Sequence, residues 1–235
     1  MSGRWRGEGA QHQGDRPYQE DSLAVKQLAD GSVLAVLADG MGGHAGGAVA
    51  SRIAVDTAAA AVEKGASLAA ALQAANASVG EKAASDPTLT NMGATFVAVA
   101  VSGDGMRWIS VGDSPLYLVA GGKIERLNAD HSMAPQIDAL VERGLLSARQ
   151  AASHPGRHTL REAVMGQPLS LIDEGSRRLA PGARLLLCSD GVQSLDEASI
   201  AAGAAGPVRA LIEAVLAVRA PHQDNVTIIK LERTE

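Results

Sequence analysis

The chain has 235 residues, the length of one domain, and 46% of them are hydrophobic, which is enough for a sizeable core. Only 2% are aromatic, so that core must be built from Ala, Val, Leu and Ile, and the single cysteine excludes an internal disulfide framework. The net charge of −5, without a Lys/Arg block, argues against nucleic acid as the main partner, and no apolar run approaches the roughly 18 residues that span a bilayer.

The first third of the chain predicts a hairpin followed by two helices. The N-terminus, up to Gly14, is polar, lacks an apolar signal core and is expected to be flexible. Strands near residues 23–28 and 33–38 should join at the turn Asp30-Gly31. The alanine-rich segments 47–64 and 67–84 carry apolar residues at helical spacing and should form two packed helices, broken at Gly65.

The remaining segments predict an antiparallel meander with helical insertions. Strands are predicted over residues 95–102, 106–111, 116–120, 123–127, 184–189 and 225–231. Helical segments are predicted over residues 133–143, 148–153, 196–202 and 208–218. The first four of these strands are joined in pairs at glycine-rich turns, which are far too short for parallel crossovers. We therefore expect a single domain, residues 1–235, in a soluble, cytoplasmic protein with no membrane partner.

Carboxylates recur where the predicted strands begin or end, often next to glycine. Hard divalent cations such as Mg²⁺ or Mn²⁺ prefer oxygen ligands, usually carboxylates and waters. Two such cations about 3.5–4 Å apart can activate a water and clamp a phosphoryl group. The alternative for any one of these residues is an ordinary turn position, since Asp is common in turns. The strand-end carboxylates are Asp21, Asp39, Asp113, Asp190 and Asp224.

The glycines after the strand at 33–38 support a second interpretation. The stretch from Gly40 to Ala45 fits the G-x-G-x-x-G/A fingerprint of dinucleotide-binding oxidoreductases. Asp39 would repel a pyrophosphate, however, and the next segment stays helical where a parallel strand is needed. The neighbouring hairpins also require an antiparallel sheet, so a metal site is the favoured interpretation.

Seven motifs, in order, resemble the metal-dependent Ser/Thr protein phosphatases of the type 2C family, in its compact bacterial form. The resemblance covers about residues 12–231 and implies an α+β fold, a four-layer α-β-β-α sandwich of two mostly antiparallel sheets flanked by helices. Residues 133–165 correspond to the family's flap over the cleft, a candidate for substrate selection or for plain packing. The motifs are Arg16-Pro-Tyr-Gln-Glu20-Asp21, Leu37-Ala-Asp39-Gly40-Met-Gly42-Gly43-His44, Gly93-Ala-Thr95, Val111-Gly112-Asp113-Ser114, Asp130-His131-Ser132, Cys188-Ser189-Asp190-Gly191-Val192 and Asp224-Asn225-Val226-Thr227.

The resemblance also implies roles for the matching residues. Asp39 would bridge two metal ions, with the Gly40 carbonyl beside it, and Asp190 and Asp224 would complete the shell of the first ion. Glu20 and Asp21 would support the second ion, largely through waters, and Asp113 with Asp190 would hold a third, weaker one. The guanidinium of Arg16 would bind the substrate phosphate, whose oxygens its planar fork matches. The catalytic set is then Asp39, Asp190, Asp224 and Arg16.

The implied reaction is hydrolysis of phosphoserine or phosphothreonine in proteins by a metal-activated water at a dinuclear Mn²⁺ or Mg²⁺ centre. Such an enzyme, here expected to be a monomer, would reverse the action of a bacterial Ser/Thr kinase. Cys188 is not expected to be a nucleophile, because a cysteine phosphatase needs an arginine where Ser194 stands. Since Cys188 lies in an apolar strand, it is expected in the core. Two other readings stay open: a pseudophosphatase that only binds phosphoproteins, and hydrolysis of small phosphate esters or a nucleotide second messenger.

Three positions bear on how far the resemblance extends. Met41 stands where many relatives outside bacteria carry a histidine proposed as general acid, and methionine has no proton to transfer. Pro115 replaces the usual arginine after Gly-Asp-Ser, which removes a cation and a backbone donor near the third-metal loop. His44 is expected to have a structural role. The affinity for a third metal and the range of substrates are therefore the properties that the sequence leaves open.

Overall fold

The fold is described from a computed structural model, which describes residues 4–42 and 45–234. Gly43 and His44 of the glycine-rich motif, and the structural role expected for His44, lie outside the described residues. The strands are β1 (Trp5–His12), β2 (Ser22–Gln27), β3 (Val33–Ala38), β4 (Gly40–Met41), β5 (Gly93–Ala94), β6 (Phe96–Ser102), β7 (Gly105–Val111), β8 (Leu116–Ala120), β9 (Lys123–Arg126), β10 (Asp173–Arg178), β11 (Arg184–Cys188) and β12 (Val226–Arg233). The helices are α1 (Ala45–Glu63), α2 (Leu68–Ser85), α3 (Ala134–Glu142), α4 (Ala148–Ala152), α5 (Glu197–Gly203) and α6 (Val208–Ala217), with 3₁₀ turns at Pro87–Leu89 and Asp190–Ser194.

The strands form two five-stranded sheets and one small pair. One sheet has the order β1-β12-β11-β8-β9, the other has the order β10-β7-β6-β3-β2, and β4 pairs with β5. All the pairs between these strands are antiparallel. The hairpins predicted at residues 30–31, 103–105 and 121–122 are confirmed, since each joins two adjacent paired strands.

Three hydrophobic clusters fill the spaces between four layers. One lies between α1, α2 and the β2-containing sheet, one lies between the two sheets, and one lies between the other sheet and α5 and α6. Strand β3 shows how the layers are built, because Leu34 and Val36 face the helices while Ala35 and Leu37 face the second sheet. A strand buried on both faces reads as a continuous apolar run, which is what the sequence shows here. The predicted α+β sandwich is confirmed.

The expectation of a flexible N-terminus is wrong for the described part of it. Residues Trp5–His12 form β1, which pairs along its whole length with β12. The sequence does not indicate this strand, because two of its positions must be glycine. A side chain at Gly7 would clash with Val25, and one at Gly9 would clash with Leu23. Positions that pack closely on the second sheet thus carry no apolar side chain for a periodicity search to find.

The polar strand β10 was not predicted either. It pairs with β7 at the edge of its sheet, and most of its side chains are exposed. The Trp108 ring lies against Gly175, where a side chain would strike the indole, and its Nε1 donates a hydrogen bond of 2.9 Å to the Asp173 carboxylate. An edge strand held in this way needs no apolar alternation of its own. None of the helices within the described ranges is long and apolar enough to cross a membrane.

Candidate active site

A cavity of about 740 Å³ gathers strand ends from both sheets. β3 and β7 of one sheet lead to Asp39 and Asp113, while β11 leads to Asp190 and Asp224 precedes β12 of the other sheet. The connection between β1 and β2 adds Arg16 and Glu20. Of the residues predicted from the sequence, all but the buried Asp21 line this cavity: Arg16, Glu20, Asp39, Gly40, Asp113, Asp190 and Asp224.

Asp39 is held at the end of β3 by its own main chain and Thr95. The Asp39 N–H donates to the Thr95 hydroxyl at 2.9 Å, and the Asp39 carbonyl accepts from the Thr95 N–H at 2.8 Å. The next residue, Gly40, donates its N–H to the Glu20 carbonyl at 3.1 Å. A side chain at Gly40 would strike the backbone of Gly47 and Glu20, so this turn requires glycine. Thr95 ends the motif Gly93-Ala-Thr95, but the motif by itself does not indicate this supporting role.

Asp190 and Asp224 are brought together by the pairing of β11 with β12. Thr227 on β12 exchanges hydrogen bonds with Ser189, the residue before Asp190: its carbonyl accepts from the Ser189 N–H, and its N–H donates to the Ser189 hydroxyl, both at 2.9 Å. The Arg16 guanidinium pairs with the Asp224 carboxylate at 2.5 Å. Arg16 is half exposed and uses one nitrogen here, so other N–H groups of its fork remain for a ligand.

Asn225 and Thr227 fix the acidic loop before β2. The Asn225 side chain accepts from the Glu20 N–H at 2.8 Å and donates to the carbonyl oxygens of Gln13 at 2.7 Å and Tyr18 at 3.0 Å. Thr227 donates its hydroxyl proton to the Asp21 carboxylate at 2.7 Å. Neither residue received a role from the sequence. A sequence feature that could have indicated them is the pair of polar residues Asn225 and Thr227, which flank Val226 at the start of β12.

Burial, with neighbouring negative charges, raises the pKa values of Asp21, Asp39, Asp113 and Asp190. Burial raises the pKa of Asp39 well above its usual range, and the charges of Asp21, Asp190, Asp113 and Asp224 raise it further. Burial, opposed by hydrogen bonds and helped by neighbouring charges, raises the pKa of Asp21 to about 7, and burial with the charges of Asp190 and Asp130 does the same for Asp113. The pKa of Asp190 is also raised, first by burial and then by Asp224. So much uncompensated negative charge favours a bound cation.

The donor set fits a hard divalent cation. It consists of oxygen atoms only, and the Oδ1 atom of Asp21 is buried without a hydrogen-bond partner among the described residues. Across the described ranges, no three His, Cys, Asp or Glu side chains are grouped so that they could hold a metal ion by themselves. Oxygen ligands are those that Mg²⁺ and its relatives prefer, with waters completing the coordination.

The segment predicted as a flap reaches the same cavity. Within residues 133–165, the described helices α3 and α4 confirm the predicted helical insertion, and His158, Thr159 and Leu160 line the cavity. The charge of His158 lowers the pKa of Asp190, against the effect of burial. His158 was not singled out from the sequence, where nothing distinguishes it from the other histidines. Met41 of β4 also lines the cavity. The residue that stands where many relatives outside bacteria carry a histidine therefore faces the site and offers no proton to a leaving group.

The dinucleotide interpretation is not supported by the topology. β3, which precedes the glycines, pairs antiparallel with both β2 and β6. α1 is followed by α2, whereas a dinucleotide-binding unit would return as a parallel strand.

Comparisons with known proteins identify the family of this chain. A family model described as protein phosphatase 2C matches residues 8–223. The chain is 33% identical over 226 residues to the serine/threonine protein phosphatase PstP of Mycobacterium tuberculosis, covering 91% of this chain but only 42% of PstP. It is 29% identical to the serine/threonine phosphatase stp of Listeria welshimeri, covering 93% of this chain and 91% of stp.

Solved structures show the same fold. The crystal structure of M. tuberculosis PstP/Ppp superposes with a TM-score of 0.83 at 30% identity, covering 98% of this chain and 99% of that one. The catalytic domain of PstP in complex with two manganese ions superposes with a TM-score of 0.82 at 28% identity and the same coverage.

Proposed function

The chain belongs to the protein phosphatase 2C family, and on that premise we propose that it is a metal-dependent protein serine/threonine phosphatase. The observation that supports this proposal best is the convergence of strand-end carboxylates from both sheets, with Arg16, on one cavity. Because the chain spans less than half the length of PstP, its activity, substrates and partners are part of the proposal.

The residues that would hold the metal ions are those that face or support the cavity. Asp39 with the Gly40 carbonyl, Asp190 and Asp224 would bind the two principal ions, and Glu20 and Asp21 would support the second through waters. Asp113, with Asp190, would bind a third ion. When bound, Mn²⁺ or Mg²⁺ acidifies a water and polarises the phosphoryl group. The two manganese ions of the related PstP structure support this proposal.

The protein's own residues bind and orient the substrate. Arg16 would bind the phosphate oxygens of phosphoserine or phosphothreonine with the N–H groups that its bond to Asp224 leaves available. Thr95 and Asn225 hold the two turns that carry Asp39 and Glu20, so that the carboxylates keep their positions when the substrate arrives. His158 to Leu160 form the part of the flap that would meet the substrate chain beside its phosphate.

The wider setting is proposed from the relatives. We infer that residues 1–235 form one catalytic domain, monomeric and cytoplasmic, and that it reverses a bacterial Ser/Thr kinase. The names of the bacterial relatives, serine/threonine phosphatases, support the dephosphorylation of proteins on which this setting rests.

The test is a phosphopeptide assay with and without Mn²⁺. We expect hydrolysis of phosphoserine and phosphothreonine peptides that requires Mn²⁺ or Mg²⁺ and stops in excess EDTA. Full activity in EDTA, or in the double variant Asp39→Ala/Asp190→Ala, would contradict the proposal. Phosphopeptide binding without hydrolysis would identify a pseudophosphatase, and activity on small phosphate esters alone would identify a different substrate class.

A further inference from the structure

The turn between β7 and β8 carries Asp113 and depends on other segments for its shape. Gly112 has a φ of +97°, and a side chain there would strike Thr95. Pro115 has no backbone N–H, so it cannot donate a hydrogen bond within the turn. The Pro115 carbonyl is used elsewhere, since it accepts from the N–H of Cys188 at 3.0 Å. The polar groups of this turn must therefore find partners outside it.

Arg126, the last residue of β9, reaches the turn with its guanidinium. Its Nη2 donates to the Asp113 carbonyl at 2.8 Å, and its Nη1 pairs with the Asp130 carboxylate at 3.2 Å. The side chains of Arg126 and Asp130 are each only 22% exposed. The planar fork is thus fixed at both ends, and it holds the main chain of Asp113 while the Asp113 carboxylate lines the cavity.

Two neutral side chains of the β9–α3 connection hold the same turn. Asn128 accepts from the Leu116 N–H at 2.8 Å and donates to the Ser114 carbonyl at 2.9 Å. His131 makes two hydrogen bonds with Gly112. The backbone N–H of His131 donates to the Gly112 carbonyl at 3.1 Å, and the Nδ1 atom of its side chain accepts from the Gly112 N–H at 3.3 Å. Among the described residues that hydrogen-bond to this turn, Arg126 alone brings a charge, and that charge lowers the pKa of Asp113 against burial.

We propose that Arg126 is the positioning residue of the Asp113 metal site, supplying from β9 the cation that Pro115 cannot supply from within the turn. The inference rests on the proposed function, because it assumes that Asp113 is a ligand of the third metal ion. Pro115 alone predicts a turn that lacks a nearby cation. The structure differs from that expectation, because the Arg126 guanidinium lies beside the turn.

The experiment compares metal binding by three variants and the wild-type protein. Arg126→Met removes the charge and the fork, Arg126→Lys keeps the charge but not the fork, and Arg177→Met is the matched control. Arg177 of β10 pairs at 2.7 Å with Glu125, the neighbour of Arg126 on β9. The two side chains are 42% and 54% exposed, so this control removes a more exposed ion pair with the same strand. Titration calorimetry of the metal-free proteins with Mn²⁺ measures each site, and the Mn²⁺ dependence of phosphopeptide hydrolysis is a second readout.

We expect Arg126→Met to weaken the weakest Mn²⁺ site about 10-fold or more, as losing a partner of a metal ligand typically does. Its kcat should recover at high Mn²⁺, Arg126→Lys should be intermediate, and Arg177→Met should match the wild type. Unchanged Mn²⁺ affinities in both Arg126 variants would overturn the inference, as would a lower melting temperature with the Mn²⁺ dependence unaltered.

Two further outcomes separate this inference from the proposed function. If Arg126→Met does not fold, Asp130→Asn, which removes the other partner of the guanidinium, should weaken the same site, and an unchanged site there would count against the inference. A wild-type protein that binds no Mn²⁺ would overturn the proposed function and this inference with it. A wild-type protein that binds Mn²⁺, together with variants that bind it equally well, would overturn the inference alone.

Discussion

The two sides of the cavity are built in different ways. The strand-end side, formed by Asp39, Asp113, Asp190 and Asp224, continues directly from strands buried in the three hydrophobic clusters. The flap side, residues 133–165, has its two helices packed on each other, with Ile137 as the buried residue of α3 and Ala151 as that of α4.

The attachments of the two sides differ accordingly. The flap joins the body through single bridges, between Ser132 and Leu160 and between Ala94 and Val164. The Met165 N–H also donates to the Asn76 side chain of α2 at 3.1 Å. The ion pair between Arg157 and Asp138 lies within the flap itself. The strand-end side joins it through continuous ladders. Rigid placement of charges therefore belongs to the sheets, whereas the flap is a surface segment with few attachments, the kind of segment that commonly varies within families.

The largest effect is expected from Asp39→Asn, which tests the strand-end side directly. We expect kcat/KM for a phosphopeptide to fall more than ~100-fold, because losing even an outer partner of a metal ligand costs 10–100-fold. The melting temperature of the metal-free protein should not fall, since burial and like charges already raise the pKa of Asp39 and disfavour its carboxylate. Asp56→Asn, at an exposed position of α1, is the control. Activity near that of the control would show that Asp39 holds no essential metal.

Arg16→Met should have the next largest effect, because it removes the charged donor at the rim of the strand-end side. Hydrogen bonds to charged groups contribute about 1.5–3 kcal/mol, so kcat/KM should fall ~10–100-fold. Inorganic phosphate should inhibit the variant more weakly, and Arg16→Lys should recover part of the loss. Equal inhibition by phosphate in wild type and Arg16→Met would place the phosphate elsewhere.

The strand-end side should also make the metal-free protein less stable as the pH rises. The pKa values of Asp21 and Asp113 are about 7 in the folded state and 3.8 as the ordinary value, so the folded protein binds more protons between these limits. A raised folded-state pKa gives stability that is complete below pH 4 and is lost as the pH rises to 7, at roughly 1.4 kcal/mol per pH unit for each group.

Urea unfolding of the metal-free protein between pH 5 and 8 measures this loss. Saturating Mn²⁺ should reduce it, because a bound cation stabilises the ionised carboxylates. If the free energy of unfolding increased over this pH range, the pKa values of these carboxylates would not be raised in the folded protein.

The smallest effect is expected on the flap side. Arg157→Met breaks the pair with Asp138, whose side chain is 52% exposed, so the free energy of unfolding should fall by less than about 1 kcal/mol. The phosphopeptide KM should change more than the melting temperature if the flap meets the substrate. A loss of stability as large as that from a core substitution would show that the flap is part of the rigid body, and the contrast between the two sides would fail.

Periodicity alone located the elements whose side chains bury a regular face. The predicted strand over 33–38 coincides with β3, and the predicted helices over 47–64 and 67–84 differ from α1 and α2 by one or two residues at each end. β1 and β10 escaped because their close contacts are made by Gly7, Gly9 and Gly175, which have no side chain to contribute to a pattern. Their stability comes from the strands beside them, and no local signal records that.

The candidate site divides in a similar way. The sequence motifs named the acidic residues and Arg16, because a carboxylate next to glycine at a strand end is recognisable locally. The supporting residues Thr95, Asn225 and Arg126 act on segments between 13 and 212 residues away in the chain, so their roles depend on which strands pair. Whether each acidic residue binds a metal ion is still a prediction, to be tested as described above.

The sequence by itself determined the antiparallel pairing of neighbouring strands and the set of charged residues, because these depend on local patterns and on short connections. The sandwich of two sheets was implied by the motifs that resemble a known family. Only the tertiary structure decided that Arg126 lies beside the turn weakened by Pro115, and that His158 from the flap faces the same cavity as Asp190. Such relationships depend on how the strands pair and on where the flap lies. Their physical basis is that a partly buried charge must find its partners within the fold, as Arg126 does at Asp113 and Asp130.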